Sequence, residues 1–393
     1  MSDAQEPLVP LFDVQLEQAH LDAVADTLRS GWLTMGPRTQ EFEQVFAEHL
    51  GSRHAIALSS CTAALHLAYL GAGVGPGDEV IVPAITFVAT AAAARYCGAE
   101  PVFADVKGTH DLGIDPEDVE RRITPRTKAV CAVHYGGYAA DLAALRDLCD
   151  SAGIALIEDA AHSPSATPLG DSRKLGTHGL AGCFSFFSNK VLSCGEGGLL
   201  STDDDDVAAL VRSLRSHAMT TGTWDRHRGH APGYDVVGVG YNYRMDEPRA
   251  ALLTARLTGL EQDIAARRTL VHRYRELLSE LPGVTVPYED AEVDVSSCYV
   301  MPVIVDDPEL RDPLRAFMLD ERRVQTSVLY PALHELSAYA GAAGELPRSE
   351  LVGRAELTLP LFPTLSEGDQ DRAVSALADG VRNLGRTGAT ARG

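Results

Sequence analysis

Lysine is nearly absent from this sequence. Among 34 basic residues in 393, only Lys107, Lys128, Lys174 and Lys190 are lysines, so arginine serves almost everywhere a generic positive charge is needed. A lysine in an unusual setting therefore asks for a chemical reason, because only lysine forms a Schiff base. Long apolar runs are missing too: nothing approaches the roughly 18 apolar residues of a membrane span. Positive charge is in deficit, with a formal net charge of −21, which disfavours a nucleic-acid surface. The seven cysteines, Cys61, Cys97, Cys131, Cys149, Cys183, Cys194 and Cys298, are odd in number and form no CxxC pair. They read as buried thiols of a reducing compartment, and no metal site is expected. Residues 1–13 carry Asp3 and Glu6 and lack a basic start followed by an apolar core, so they do not read as a secretory signal. A cytoplasmic protein is expected.

What is present fits a soluble globular protein, with 45% hydrophobic and 23% charged residues. The length exceeds one compact core, and the expectation is a large domain over 1–255 and a smaller one over 256–393. Between about 54 and 200, seven short apolar runs (54–58, 79–82, 101–104, 129–133, 154–158, 183–187 and 198–201) alternate with helix-like segments at 62–71, 90–97, 115–121 and 142–152. That rhythm predicts an α/β fold with a mostly parallel sheet covered on both faces, with ligands beyond the C-terminal strand ends. Residues 203–217 read as a helix with an acidic start rather than a metal site. A long loop is expected over 218–240 and one long helix over 247–281. A strand at 298–305, a helix at 312–322 and a final helix from 367 complete a smaller α+β unit.

The chemistry concentrates in a few places. Lys190 follows the aromatic run Cys183-Phe-Ser-Phe-Phe-Ser-Asn, whereas the other lysines sit in polar, turn-like company. Desolvation beside an apolar strand lowers an amine's pKa and favours the nucleophilic form; the plain alternative is a lysine snorkelling at a strand end. Asp159 ends another apolar run at the predicted ligand edge, where a carboxylate either caps a helix or pairs with a protonated pyridine nitrogen of pyridoxal 5'-phosphate (PLP). Ser60, Cys61 and Thr62 lie where a strand passes into a helix, which gives an ordinary N-cap or an anion site. The Ser185 hydroxyl, five residues before Lys190, is a further candidate to reach a phosphate. Phe87 offers a stacking face or a core ring, and His162, three residues after Asp159, a group near a ring hydroxyl or a helix-start residue.

In their order along the chain these pieces resemble the DegT/DnrJ/StrS family of sugar aminotransferases, a branch of the fold type I PLP enzymes. The resemblance runs through Pro37-Arg, Gly75-Pro-Gly-Asp-Glu-Val, Pro83-Ala-Ile-Thr-Phe, Glu158-Asp-Ala-Ala-His, Phe184-Ser-Phe-Phe-Ser-Asn-Lys, Gly195-Glu-Gly-Gly, Gly240-Tyr-Asn-Tyr-Arg-Met and Tyr330-Pro. It implies that Lys190 carries PLP as an aldimine, Asp159 faces the pyridine nitrogen, Phe87 stacks on the ring and His162 lies by its hydroxyl. Cys61, Thr62 and Ser185 would hold the phosphate. Asn242 would reach it from the partner of a homodimer with shared sites, and Tyr330 and His334 would meet substrate. In this chain proline directly follows the tyrosine (Tyr330-Pro331-Ala-Leu-His334), a departure from the family's Tyr-x-Pro-x-x-His spacing.

The implied reaction is ping-pong amino transfer from glutamate to a nucleotide-linked keto sugar, with a dTDP-4-keto-6-deoxyhexose as first expectation. A 3-keto sugar or a cyclitol ketone is the alternative. The lysine argues against the deoxygenating branch, which has histidine there. A nicotinamide dehydrogenase is disfavoured because no GxGxxG turn follows the first strand. A non-enzymatic PLP-binding regulator is the competing class, although no DNA-binding module is evident.

Overall fold

A computed structural model describes residues 7–221, 224, 233–341 and 344–391. Seven strands form one sheet: β1 (His54–Leu58), β2 (Glu79–Pro83), β3 (Glu100–Ala104), β4 (Thr127–Val133), β5 (Ala155–Asp159), β6 (Ala181–Ser185) and β7 (Gly198–Thr202). Their spatial order is β1-β7-β6-β5-β4-β2-β3, with β7 antiparallel to both neighbours and every other pairing parallel. The strands are almost wholly buried, as their continuous apolar character requires when both faces are covered.

Helices α1 (Gln18–Ser30) and α2 (Pro37–Leu50) precede the sheet, and α3 (Cys61–Gly71), α4 (Val88–Tyr96), α5 (Pro116–Arg122), α6 (Leu142–Ala152) and α7 (Asp205–Leu214) alternate with its strands. Local chemistry sets their starts. Ser60, Asp115, Asp141 and Asp204 each accept a backbone N–H from the following first turn. The acidic run at 203–206 serves this purpose and forms ion pairs with Arg53 and His54.

The long helix expected over 247–281 is in fact two, α8 (Glu247–Leu257) and α9 (Leu260–Leu278). They part at Thr258-Gly259, and Gly259 occupies the N-cap position of the second helix. Buried Glu247 explains the junction to the N-terminal region: its carboxylate accepts the backbone N–H groups of Gly36, Arg38 and Thr39.

A second sheet, antiparallel, joins β8 (Val284–Thr285), β9 (Met301–Val305) and β10 (Glu356–Leu359). Helices α10 (Arg311–Asp320), α11 (Pro347–Ala355) and α12 (Glu367–Ala391) surround it. The strand expected from 298 starts at Met301, because Cys298 takes a positive φ of 47°.

Of the expected loop over 218–240, residues 222, 223 and 225–232 lie outside the described residues. At its base Met219 and Val236 form an antiparallel bridge. No helix among the described residues is long and apolar enough to cross a membrane, and no cluster of three or more His, Cys, Asp or Glu suited to a metal occurs among them. Six cysteines are buried and Cys194 is partly exposed; all seven are free.

Candidate active site

A cavity of about 510 Å³ opens at the C-terminal edge of the large sheet. Ser60, Cys61, Thr62, Phe87, Asp159, His162, Ser185, Lys190 and Tyr330 all line it; Asn242 and His334 do not.

Strand alternation separates two adjacent acids at the end of β5. Asp159 points into the cavity, with its Oδ2 accepting from Thr90 Oγ1 at 2.9 Å and its Oδ1 from the Ala161 N–H at 3.2 Å. Thr90 is in turn 2.9 Å from Thr86 Oγ1, so Thr86 donates to Thr90 and fixes the relay. Burial raises the Asp159 carboxyl above its ordinary range, opposed by these bonds and by Lys190. Glu158, fully buried, has the opposite fate. Burial alone would raise it, but His134 and the N–H groups of Gly176, His178 and Gly179 hold it below the usual carboxylate range. It anchors the loop leading into β6.

Lys190 stands just beyond β6, at the close of a turn in which its N–H meets the Phe187 carbonyl at 2.9 Å. Its Nζ lies 4.2 Å above the centre of the Tyr299 ring. Burial lowers the amine from an ordinary 10.5 to about 8, although Asp159 and then Cys61 pull it upward. A nucleophile near neutrality results.

At the β1–α3 junction Ser60 caps the helix by accepting the Ala63 N–H at 3.1 Å. The first-turn amides at Cys61 and Thr62 have no intrahelical partner and lie at the positive end of α3, beside the cavity. Gly198 keeps this turn in place. It opens β7 between Leu58 of β1 and Ser185 of β6, where a Cβ would come within 2.1 Å of Ser60.

His162 is buried and fully engaged. Its Nδ1 accepts the Gly136 N–H at 3.1 Å, which leaves Nε2 as the protonated nitrogen, 3.0 Å from Tyr330 Oη. Burial, with Lys190 and His134 nearby, holds the imidazole well below its usual pKa, so it is neutral. Its Nε2–H donates to Tyr330, whose hydroxyl hydrogen is thereby free for another acceptor. Tyr299 stacks on the other side of His162 at 4.4 Å. Phe87, at the cavity wall, leaves 55% of its surface exposed with its ring 6.1 Å from that of Tyr330.

The two remaining residues lie elsewhere. His334 Nε2 faces Glu350 at 3.3 Å. Asn242 bridges Ser216 at the base of the 218–240 segment. Sequence reasoning missed Thr86, Thr90, Tyr299 and Asn189. The two threonines carry a faint signal, as polar residues four apart at the start of an alanine-rich helix. Tyr299 carries none, whereas Asn189 stands in the Phe184–Lys190 run directly before the lysine and lines the cavity.

A sequence profile for the DegT/DnrJ/EryC1/StrS aminotransferase family matches residues 14–378. The spore coat polysaccharide biosynthesis protein SpsC of Bacillus subtilis is 36% identical over 371 residues, covering 92% of this chain and 94% of that protein. The crystal structure of DesV from S. venezuelae, in complex with a ketimine intermediate, is 35% identical with a TM-score of 0.86, covering 95% of this chain and 98% of its own. NtdA from Bacillus subtilis, solved with bound cofactor PMP, is 28% identical with a TM-score of 0.85, covering 98% and 87%.

Proposed function

The chain belongs to the DegT/DnrJ/EryC1/StrS aminotransferase family and is a PLP-dependent sugar aminotransferase; from that premise we propose that it moves the amino group of glutamate onto a nucleotide-linked keto sugar, a dTDP-4-keto-6-deoxyhexose being the first candidate. The relationship to a spore coat polysaccharide protein supports a role in cell-surface or secondary-metabolite sugar synthesis. The observation that carries this reading is the convergence of Lys190 and Asp159, from the ends of neighbouring parallel strands, on one cavity.

The residues fit the cofactor. A buried acid for a protonated ring nitrogen, an exposed aromatic face at Phe87 and the free first-turn amides of α3 occur together in the cavity. In this reading Asp159 pairs with the ring nitrogen, and Phe87 packs on the ring. Ser60, Cys61, Thr62 and Ser185 hold the phosphate. When bound, PLP supplies a carbonyl that takes up amines and a ring that withdraws electrons. The protein supplies proton handling and orientation. The Lys190 amine, near half-neutral at about pH 8, takes and returns the proton that amino exchange requires. His162, locked neutral, orients Tyr330 so that its hydroxyl hydrogen serves a group in the cavity. Asp159, kept in place by Thr90 and Thr86, supplies negative charge where the ring is protonated.

Exposed Tyr234, Val236, Val237 and Val239 lie close in sequence to Asn242. They support a homodimer in which Asn242 completes the partner's phosphate site.

Borohydride reduction of the PLP-loaded protein, followed by peptide mapping, tests the central assignment. The expected label is on residue 190, and it is absent from Lys190→Ala. A reducible adduct persisting in that variant sinks the assignment. Added glutamate is expected to change the cofactor's absorbance; an unchanged spectrum rejects glutamate as donor.

A further inference from the structure

Glu356 opens β10 and is buried, with 1% of its surface exposed. Its backbone groups have other partners: its N–H goes to the Val352 carbonyl, and its carbonyl accepts from Arg311 Nη1 at 3.2 Å. Two residues on, Thr358 exchanges both backbone bonds with Ser327, at 3.1 and 2.8 Å. The next rung of that pairing falls opposite Leu329, but no backbone bond joins Leu329 to Glu356 there. The side chain does so instead. Glu356 Oε2 accepts the Leu329 N–H at 2.8 Å, and Oε1 accepts from Thr358 Oγ1 at 2.5 Å.

The segment held this way is the cavity wall formed by Ser327, Val328, Leu329 and Tyr330. We propose that Glu356 is a positioning residue for the active site: its carboxylate completes the pairing of residues 327–329 with β10 and so sets the Tyr330 hydroxyl against His162 Nε2. The consequence for the reaction rests on the functional reading given above, whereas the positioning itself does not. The groups facing this carboxyl are Thr358 on its own strand, Arg311 and Arg315 on α10, and the rings of Tyr135 and Tyr330. Burial raises the carboxyl to about 7, against the pull of Thr358, Leu329 and the two arginines. An acid held this close to neutrality acts by reach and acceptor geometry rather than by a permanent charge.

Reach and charge can be separated. Glu356→Gln keeps the length and the acceptor but removes the charge; Glu356→Asp keeps the charge and loses the reach; Glu356→Ala loses both. The readout is exchange with water of the His162 Nε2–H in ¹⁵N-histidine-labelled protein, assigned with His162→Asn, and needs neither cofactor nor substrate. Wild type and Glu356→Gln are expected to exchange slowly. Glu356→Asp, Glu356→Ala and Tyr330→Phe should exchange faster by on the order of tenfold. Wild-type exchange in the Asp and Ala variants overturns the proposal, as does fast exchange in the Gln variant. If the Ala variant does not fold, the Asp and Gln pair carries the same decision. In the PLP-loaded enzyme with L-glutamate, the single-turnover rate should fall on the order of tenfold in the Asp and Ala variants and stay near wild type in Gln. Exchange that responds while the rate does not leaves the positioning standing and removes Tyr330 from the reaction.

Discussion

A side chain at Gly198 would collide with Ser60: the missing Cβ falls 2.1 Å from the Ser60 carbonyl carbon and 2.4 Å from the Cys61 nitrogen. The glycine that opens β7 therefore sets how closely the β1–α3 turn can lie against the sheet. In Gly198→Ala the Ser60–Thr62 turn must move. Overpacking of this kind costs about 1–3 kcal/mol, and PLP affinity, measured by titration of the apoprotein, is expected to weaken by on the order of tenfold. Unchanged affinity would exclude this turn as the phosphate site.

Asp159→Asn preserves shape and removes charge. The variant is expected to fold, because the amide oxygen can still accept from Ala161 or Thr90. Amino transfer should drop by on the order of 100-fold. Thr90→Val removes the bond to Oδ2 and should produce a smaller loss, with the Asp159 carboxyl raised further.

Cofactor uptake should depend on pH through Lys190. Its amine is lowered to about 8, so roughly a tenth is neutral at pH 7 and about half at pH 8. The rate at which apoprotein takes up PLP, followed by stopped-flow absorbance, is expected to rise through pH 8 and then level off. A rate rising steadily to pH 10 would mean that the amine titrates as an ordinary exposed lysine.

Glu158 governs stability rather than chemistry. Its folded pKa is depressed, so its contribution is present above the unfolded value of about 4.3 and is lost as pH falls through the lower folded value. Removing it strands three backbone N–H groups and His134. Glu158→Ala is expected to destabilise by about 3–5 kcal/mol, read as a large fall in Tm. Wild-type stability would show that the amides find other partners.

Shared sites predict complementation. Lys190→Ala and Asn242→Ala are each expected to lose most activity as homodimers, and mixing them under exchange conditions should restore activity through mixed dimers with one intact site. No recovery, with exchange verified by mass, would rule out the contribution of Asn242 across the interface.

Much of this arrangement is legible in the chain itself. Continuous apolar runs fixed the seven strands to within a few residues, since a strand buried on both faces admits little else. The rarity of lysine and the aromatic run before it singled out Lys190, which lines the cavity. Asp159 stood out as an acid ending an apolar strand. Local signals were less decisive at Thr258-Gly259, where the apolar pattern runs on through the break between α8 and α9.

Local chemistry by itself determined the strand–helix alternation, the capped helix starts and the choice of Lys190 as the candidate amine, because these follow from periodicity and side-chain type over a few residues. Only the tertiary structure decided that Tyr299 and Tyr330, both more than 100 residues beyond Lys190, line its cavity, that Glu356 holds the backbone of that wall at Leu329, that His334 turns to Glu350, and that His162 is neutral. Those outcomes depend on burial and on partners distant in sequence, and neither is encoded in the neighbours of any one residue.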